Sequence, residues 1–219
     1  MITIDQIKND ESIKTYIKLA DESLSELGFT EHSFAHVGKV SFDTARILTE
    51  LGYDERTVEL GEIAGYLHDI GNLVNREEHS QSGAVIVFRL LDKMGMDATE
   101  IATIVTAIGN HDEGTGVPVN EVSAALILAD KSDVRRSRVR NADMSTFDIH
   151  DRVNYSVESS ELKIDTENKT ITLDVKIDTS ISSLINYFEI FLGRMILCRH
   201  AADRLGMNFR LSINEQQFI

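Results

Sequence analysis

The chain is poor in residues that cross-link or stiffen a fold: 219 residues contain one cysteine, Cys198, and one proline, Pro118. A lone thiol forms no internal disulfide and builds no cysteine zinc cluster, so a metal would have to be held by histidine and carboxylate. Long apolar stretches are missing as well. The longest, Ala124 to Ala129, falls far short of the roughly 20 residues that a membrane-crossing helix needs. The opening text, MITIDQIKNDESIK, sets isolated isoleucines among charges and has no apolar h-region, so no signal peptide is expected and the cytoplasm is the default compartment. Positive charge is scarce too: 22 Lys and Arg stand against 36 Asp and Glu, a net charge of −14. That balance repels nucleic-acid phosphate and disfavours a DNA partner. Basic residues concentrate in one place, KSDVRRSRVR, from Lys131 to Arg140.

What is present is a helical pattern. Apolar residues make up 42% of the chain, enough for a substantial core. From about Asp5 to Ser137 they recur at three- and four-residue steps, with Gly28, Gly52, Gly71 and Gly95 at expected helix ends, which reads as about six helices. Ile101, Ile104, Val105 and Ile108 form one stripe, Asn120 is the expected N-cap of the next helix, and Pro118 punctuates the loop between them. After about Asp151 the period changes. Leu162 and Ile164, the turn DTENK, then Ile171, Leu173, Val175 and Ile177 alternate as a hairpin does. A helix from about Thr179 to Leu205, closed by Gly206, and a last strand MNFRLSI complete a β-β-α-β unit. The expected architecture is mainly α: a helical body over residues 1–150 and a small C-terminal α+β appendage over 151–219.

Six groups stand at expected helix ends or on strongly apolar helices: His36, His68, Asp69, His79, His111 and Asp130. A buried imidazole or carboxylate needs a partner. Four imidazoles and two carboxylates suffice for two divalent ions if one carboxylate bridges them, and Asp69, beside His68, is the natural bridge. A mixed N/O set without thiolate suits Fe, Mn, Co, Ni or Zn more than Ca. A histidine near a helix end is, taken alone, more often a capping or solvated side chain than a ligand.

The surrounding text changes that balance. From His36 the sequence runs HVGKVSFDTARILTELG, and later GEIAGYLHDIG carries His68-Asp69 followed by Ile-Gly. This resembles the HD superfamily of metal-dependent phosphohydrolases, whose signature is an early His, an adjacent His-Asp pair and a late Asp. Here these are His36, His68, Asp69 and Asp130, and the resemblance covers about residues 30 to 140. Members with a two-metal site carry further histidines in the intervals where His79 and His111 stand. Bacterial hydrolases that split dinucleoside tetraphosphates symmetrically are similar around Gly83-Ala84 and around ADKSDVRR. The chain departs from the pattern in three places: Asn72 replaces a Lys found in many relatives, no Gly-Tyr-Pro motif is present, and Asp112 rather than a second His follows His111.

The resemblance implies a helical HD bundle with two divalent ions, drawn from Fe, Mn, Co, Ni, Zn or Mg. It implies hydrolysis of a phosphate ester or anhydride, of a nucleotide or another small phosphorylated metabolite, by metal-activated hydroxide. Asp69 and His68 would be the catalytic pair, and Lys131, Arg135 and Arg136 would grip the phosphates. That basic cluster reads equally well as a solvated face. Were the helix to continue past Asp130, Asp133, Val134 and Ser137 would share its face, so a grip by Arg135 and Arg136 requires the helix to end or bend near Val134. The loop Glu113-Gly114-Thr115 reads as a surface connection before a lid, His32 as a less favoured ligand than His36, and His150 and His200 as surface residues. The stripe Phe188, Phe191 and Met195 reads as core or as a homodimer interface. Two rival functions share the ligand set: an HD-fold di-iron oxygenase and a nucleotide-binding regulatory module without turnover.

Overall fold

The structure is a computed structural model and describes residues 1–219. Seven α-helices form the body: α1 (Ile4–Asn9), α2 (Glu11–Glu26), α3 (Phe34–Glu50), α4 (Glu55–Leu67), α5 (His79–Met94), α6 (Ala98–Gly109) and α7 (Glu121–Ser132). The first two are neighbours in the chain. Asp10 divides them, accepting from the backbone N–H of Ser12 and Ile13 and so capping α2 at the point where α1 stops. Gly28, Gly52 and Gly95 take φ of 80°, 81° and 79° just past helix ends, as αL caps do. Gly71 does not cap a helix: it lies within a 3₁₀ turn, Ile70–Leu73.

Helix α7 is the axis of the body. Val122 and every residue from Ala124 to Ala129 are fully buried, because α7 packs against α3, α4, α6 and, from the appendage, α9. A helix apolar on all sides has no solvent face to spare. Its start is set by Asn120, whose side chain accepts from Ser123 N–H at 2.7 Å while Ser123 Oγ answers the Asn120 N–H.

The C-terminal unit consists of α8 (Ile149–Ser156), β1 (Val157–Asp165), β2 (Thr170–Ile177), α9 (Leu184–Arg204), β3 (Asn208–Ile213) and β4 (Gln216–Gln217). The sheet order is β1-β2-β3-β4, with β1 antiparallel to β2 and β2 parallel to β3. A parallel neighbour requires a crossover, which α9 supplies. Gly206 has φ of 72° just past α9. Helix α9 starts five residues later than its apolar content suggests, since Asp178 and Ser180 first close a turn and Ser183 then caps the helix. Helix α8 runs straight into β1 and spans residues 150 and 151. One hydrophobic core extends from Ile7 in α1 to Ile213 in β3. No helix is long and apolar enough to cross a membrane.

Candidate metal centre

Five chain segments deliver their side chains to one end of the bundle. His36 stands in the first turn of α3, His68 caps the C-terminus of α4 with Asp69 next, His79 opens α5, His111 follows α6, and Asp130 is in the last turn of α7. Two glycines allow the approach. A Cβ on Gly65 of α4 would lie 2.7 Å from Ser41 Cα, so α4 meets α3 backbone to backbone and His68 comes alongside His36. A Cβ on Gly71 would collide with the His79 carbonyl, so the turn after Asp69 presses against the start of α5.

The six expected ligands converge. Asp69 Oδ2 is 3.4 Å from His36 Nε2 and 3.3 Å from His68 Nε2, while its Oδ1 is 3.5 Å from His79 Nε2 and 4.0 Å from His111 Nε2. Asp130 Oδ1 completes the first side, 3.4 Å from His36 Nε2 and 3.7 Å from His68 Nε2. One carboxylate thus faces two imidazole pairs, one with each oxygen. His36, His68, His79 and His111 are all buried, and Asp69 is 5% exposed.

Every imidazole is oriented through its other nitrogen. His68 Nδ1–H donates to Gly65 O at 2.8 Å, His79 to Arg76 O at 3.0 Å, His111 to Ile108 O at 2.6 Å, and His36 to Asp133 Oδ2 at 2.7 Å. These contacts assign the proton to Nδ1 and leave an Nε2 lone pair aimed into the cluster. His36 Nε2 and His68 Nε2 are buried without a hydrogen-bond partner. His79 Nε2 and His111 Nε2 face each other at 3.2 Å. Buried orphan acceptors and opposed lone pairs are costly unless a cation lies between them. Metal–nitrogen and metal–oxygen bonds of about 2.1 Å bring ligand atoms to about 3 Å of one another, close to what is seen. The donor set therefore fits divalent metal.

The electrostatics agree. Burial pushes the His68 pKa down, but Asp69 and Asp130 overcome it and raise it to about 10, so without an ion a second proton takes the Nε2 position that a metal would occupy. In His36, burial and Arg138 lower the pKa and the hydrogen bonds to Asp130, Asp133 and Asp69 raise it more. Burial opposes ionisation of Asp69, yet His68 holds it well below the usual carboxylate range; in Asp130, Lys131 does the same. The carboxylates thus hold positive charge here even against desolvation. The pKa of His111 is lowered by burial, then by His68 and His79, against the opposing pull of Asp130.

Other expectations divide. Lys131 is buried and pairs with Asp130 Oδ2 at 2.8 Å and Glu113 Oε2 at 2.7 Å, on the wall of a cavity of about 420 Å³ above the cluster. Arg135 and Arg136 are not on that wall. Helix α7 does end, at Ser132, but Arg135 then clamps Asp133, with Nε to Oδ1 at 2.6 Å and Nη2 to Oδ2 at 3.0 Å. Arg136 donates to Tyr155 O at 2.6 Å and stacks 4.7 Å above that ring. Arg135 thus supports His36 through Asp133, and Arg136 ties the turn after α7 to α8. His32 lines the cavity, its Nδ1 bound to Thr30 O at 2.6 Å, and does not join the six. Glu113 is a cavity wall residue rather than a bare surface connection. His150 borders the cavity too, together with Asp148 and Asn154 of the α8 region.

Sequence reasoning missed five further participants. Asn72 Nδ2 donates to Asp69 O at 2.9 Å and Oδ1 at 3.1 Å, so the residue read as a lost cation steadies the Asp69 carboxylate. Asp133 orients His36, and its place three residues beyond Asp130 was the available signal. Arg76, Arg138 and Arg194 line the cavity, and the last comes from α9.

The HD domain family model matches residues 33–143, just over half of the chain. An uncharacterised protein of Methanocaldococcus jannaschii, MJ1020, is 26% identical over 195 residues, spanning 78% of this chain and 74% of its own. The crystal structure of a predicted HD superfamily hydrolase from an uncultured Thermotogales bacterium is 22% identical, aligns over 62% of this chain and 75% of its own, and superposes with a TM-score of 0.45. With His36, His68, Asp69 and Asp130 gathered inside the matched segment, the chain belongs to the HD domain family.

Proposed function

We propose that the chain is a metal-dependent phosphohydrolase that binds two divalent ions through His36, His68, Asp69, His79, His111 and Asp130 and acts on a nucleotide or similar small phosphorylated metabolite. The observation carrying this reading is the division of Asp69 between two imidazole pairs, one per oxygen. When bound, such ions supply a hydroxide nucleophile at neutral pH and neutralise charge on phosphoryl oxygens. The chain's own residues do the positioning. Asp69, fixed by the Asn72 amide, spans both halves of the cluster, and Asp133 keeps His36 in the tautomer that offers Nε2. Lys131 stands beside Asp130 on the cavity wall, where its ammonium meets an incoming phosphate. Arg76, Lys131, Arg138 and Arg194 share the cavity wall with Asp69, Glu113, Asp130, Asp148 and Asp151. Two divalent ions held at the carboxylate end would make the cavity net positive, which favours an anionic substrate over the uncharged polyol of a di-iron oxygenase. Within the same proposal, the homodimer would use the outward face of α9, where Ile185, Leu192 and Ile196 are exposed.

The test is turnover of phosphomonoester and phosphodiester reporters and a nucleotide panel after chelation and re-addition of Mn, Co, Ni or Mg. Turnover should return with metal and fall by about 10²- to 10³-fold in Asp69→Ala, the scale of losing an organising electrostatic group. No turnover with any metal across the panel contradicts the reading. Tight nucleotide binding without product would point to the regulatory alternative.

A further inference from the structure

One carboxylate in the cavity is shared by two cations from opposite sides. Glu113 Oε2 is 2.7 Å from Lys131 Nζ, and Glu113 Oε1 accepts from Arg194 Nε at 3.0 Å. The three come from different parts of the chain: Lys131 from the last turn of α7, Glu113 from the loop after α6, and Arg194 from α9 in the appendage. Lys131 is 4% exposed, and a buried ammonium requires anions around it. Asp130 supplies one, but its other oxygen faces His36 and His68. Glu113 supplies the second. Arg194 is held ready from below, its guanidinium 4.5 Å above the Phe191 ring.

Glu113 is less firmly seated than its partners. Its side chain is 30% exposed, and the adjoining Gly114 and Thr115 contribute nothing to the core. Two fixed cations spaced to share one carboxylate are also spaced to share one phosphate group, which offers three oxygens and more charge. Only the width of the Asp130 carboxylate separates Lys131 from the imidazoles of His36 and His68.

We propose that Lys131 and Arg194 form an anion subsite beside the metal centre, taking the phosphate next to the one being hydrolysed, and that Glu113 fills it until substrate displaces it. The inference rests on the phosphohydrolase reading and narrows it: the substrate class is a phosphoanhydride, with a second phosphate adjoining the scissile bond, rather than a simple monoester. It also gives the appendage a part in substrate recognition, since Arg194 lies outside the matched HD segment.

The experiment is calorimetric titration of the metal-loaded chain with methylenediphosphonate and with methylphosphonate, metal content being checked after each titration. Wild type should prefer the diphosphonate. Arg194→Ala should weaken the diphosphonate about tenfold, the scale of one charge-assisted contact, and change methylphosphonate less than about twofold. Glu113→Gln should bind the diphosphonate several-fold tighter than wild type, because the resident competitor is gone, and Glu113→Ala repeats the measurement should Gln disturb the loop. Equal weakening of both ligands by Arg194→Ala, or diphosphonate binding by both Glu113 variants no tighter than wild type, overturns the subsite. Turnover on the same samples separates the two claims. The predicted binding order without hydrolysis of any phosphoester keeps the subsite and sinks the hydrolase, whereas turnover indifferent to Arg194 and Glu113 does the reverse.

Discussion

The floor and the rim of the cavity hold their side chains in opposite ways. On the floor, each imidazole is buried and locked through Nδ1 to a backbone carbonyl or to Asp133, and Asp69 is locked by Asn72. On the rim, Arg76 and His150 are carried by a loop and the short helix α8, and Arg194 of the appendage is steadied by the partly exposed Glu113 and the Phe191 ring. A rigid floor suits ions, whose bonds tolerate little displacement. A looser rim suits a ligand that must enter and leave. The same contrast separates HD body from appendage: the matched segment builds the floor, and residues beyond it build part of the rim.

That contrast predicts floor substitutions that lose metal and rim substitutions that lose only substrate. The largest effect on the fold is expected from Gly71→Ala, where the added methyl meets the His79 carbonyl and the Gly83 N–H. Backbone must move on both sides, so stability should fall by about 3 kcal/mol or more, and metal content should fall with it. Thermal unfolding with metal analysis reads both. Asp133→Asn comes next. It weakens the partner of His36 Nδ1, and second-sphere changes of this kind typically cost about 10- to 100-fold in metal affinity, measurable by competition with a chelator.

A pH experiment isolates the floor without any substitution. In the metal-free chain the His68 pKa is raised to about 10 from 6.5, so its contribution to stability is complete below about pH 6.5 and is lost as pH rises through about 10. Asp69 and Asp130 are lowered; their contribution is present above the unfolded value of 3.8 and disappears on acidification. Melting temperature should therefore fall between pH 7 and 10 after chelation and stay flatter with metal bound, where ions replace the proton. The smallest effect belongs to the rim: Arg194→Ala should raise KM for a phosphorylated substrate several-fold at unchanged metal content. Loss of metal in that variant would erase the distinction between floor and rim.

The floor was legible in the sequence because its ligands sit at helix ends, which caps, glycines and changes of period mark locally. His36, His68-Asp69 and Asp130 could be read with their neighbours as one pattern. The β-β-α-β order was legible for the same reason: strict alternation gives way to a long apolar helix. The rim was not legible. Arg194 reaches the cavity because α9 packs along α7, and no local period announces a contact between elements so far apart in the chain. Helix α8 was missed because its eight residues, IHDRVNYS, carry little apolar signal. The places of Arg135 and Arg136 outside the cavity lining were not legible either. Both residues follow the ligand Asp130 in sequence, but Asp133 and Tyr155 O claim their guanidiniums first. Asn72 was judged by the charge it lacks rather than by the amide it offers to Asp69.

The account turns on Asp69 serving two ions at once, and anomalous diffraction from crystals grown with manganese or cobalt tests this directly. It predicts two peaks about 3.5–4 Å apart, one on each side of the Asp69 carboxylate, with His36, His68 and Asp130 around the first and His79 and His111 around the second. A single peak at saturating metal, or a second one coordinated by neither His79 nor His111, would contradict it.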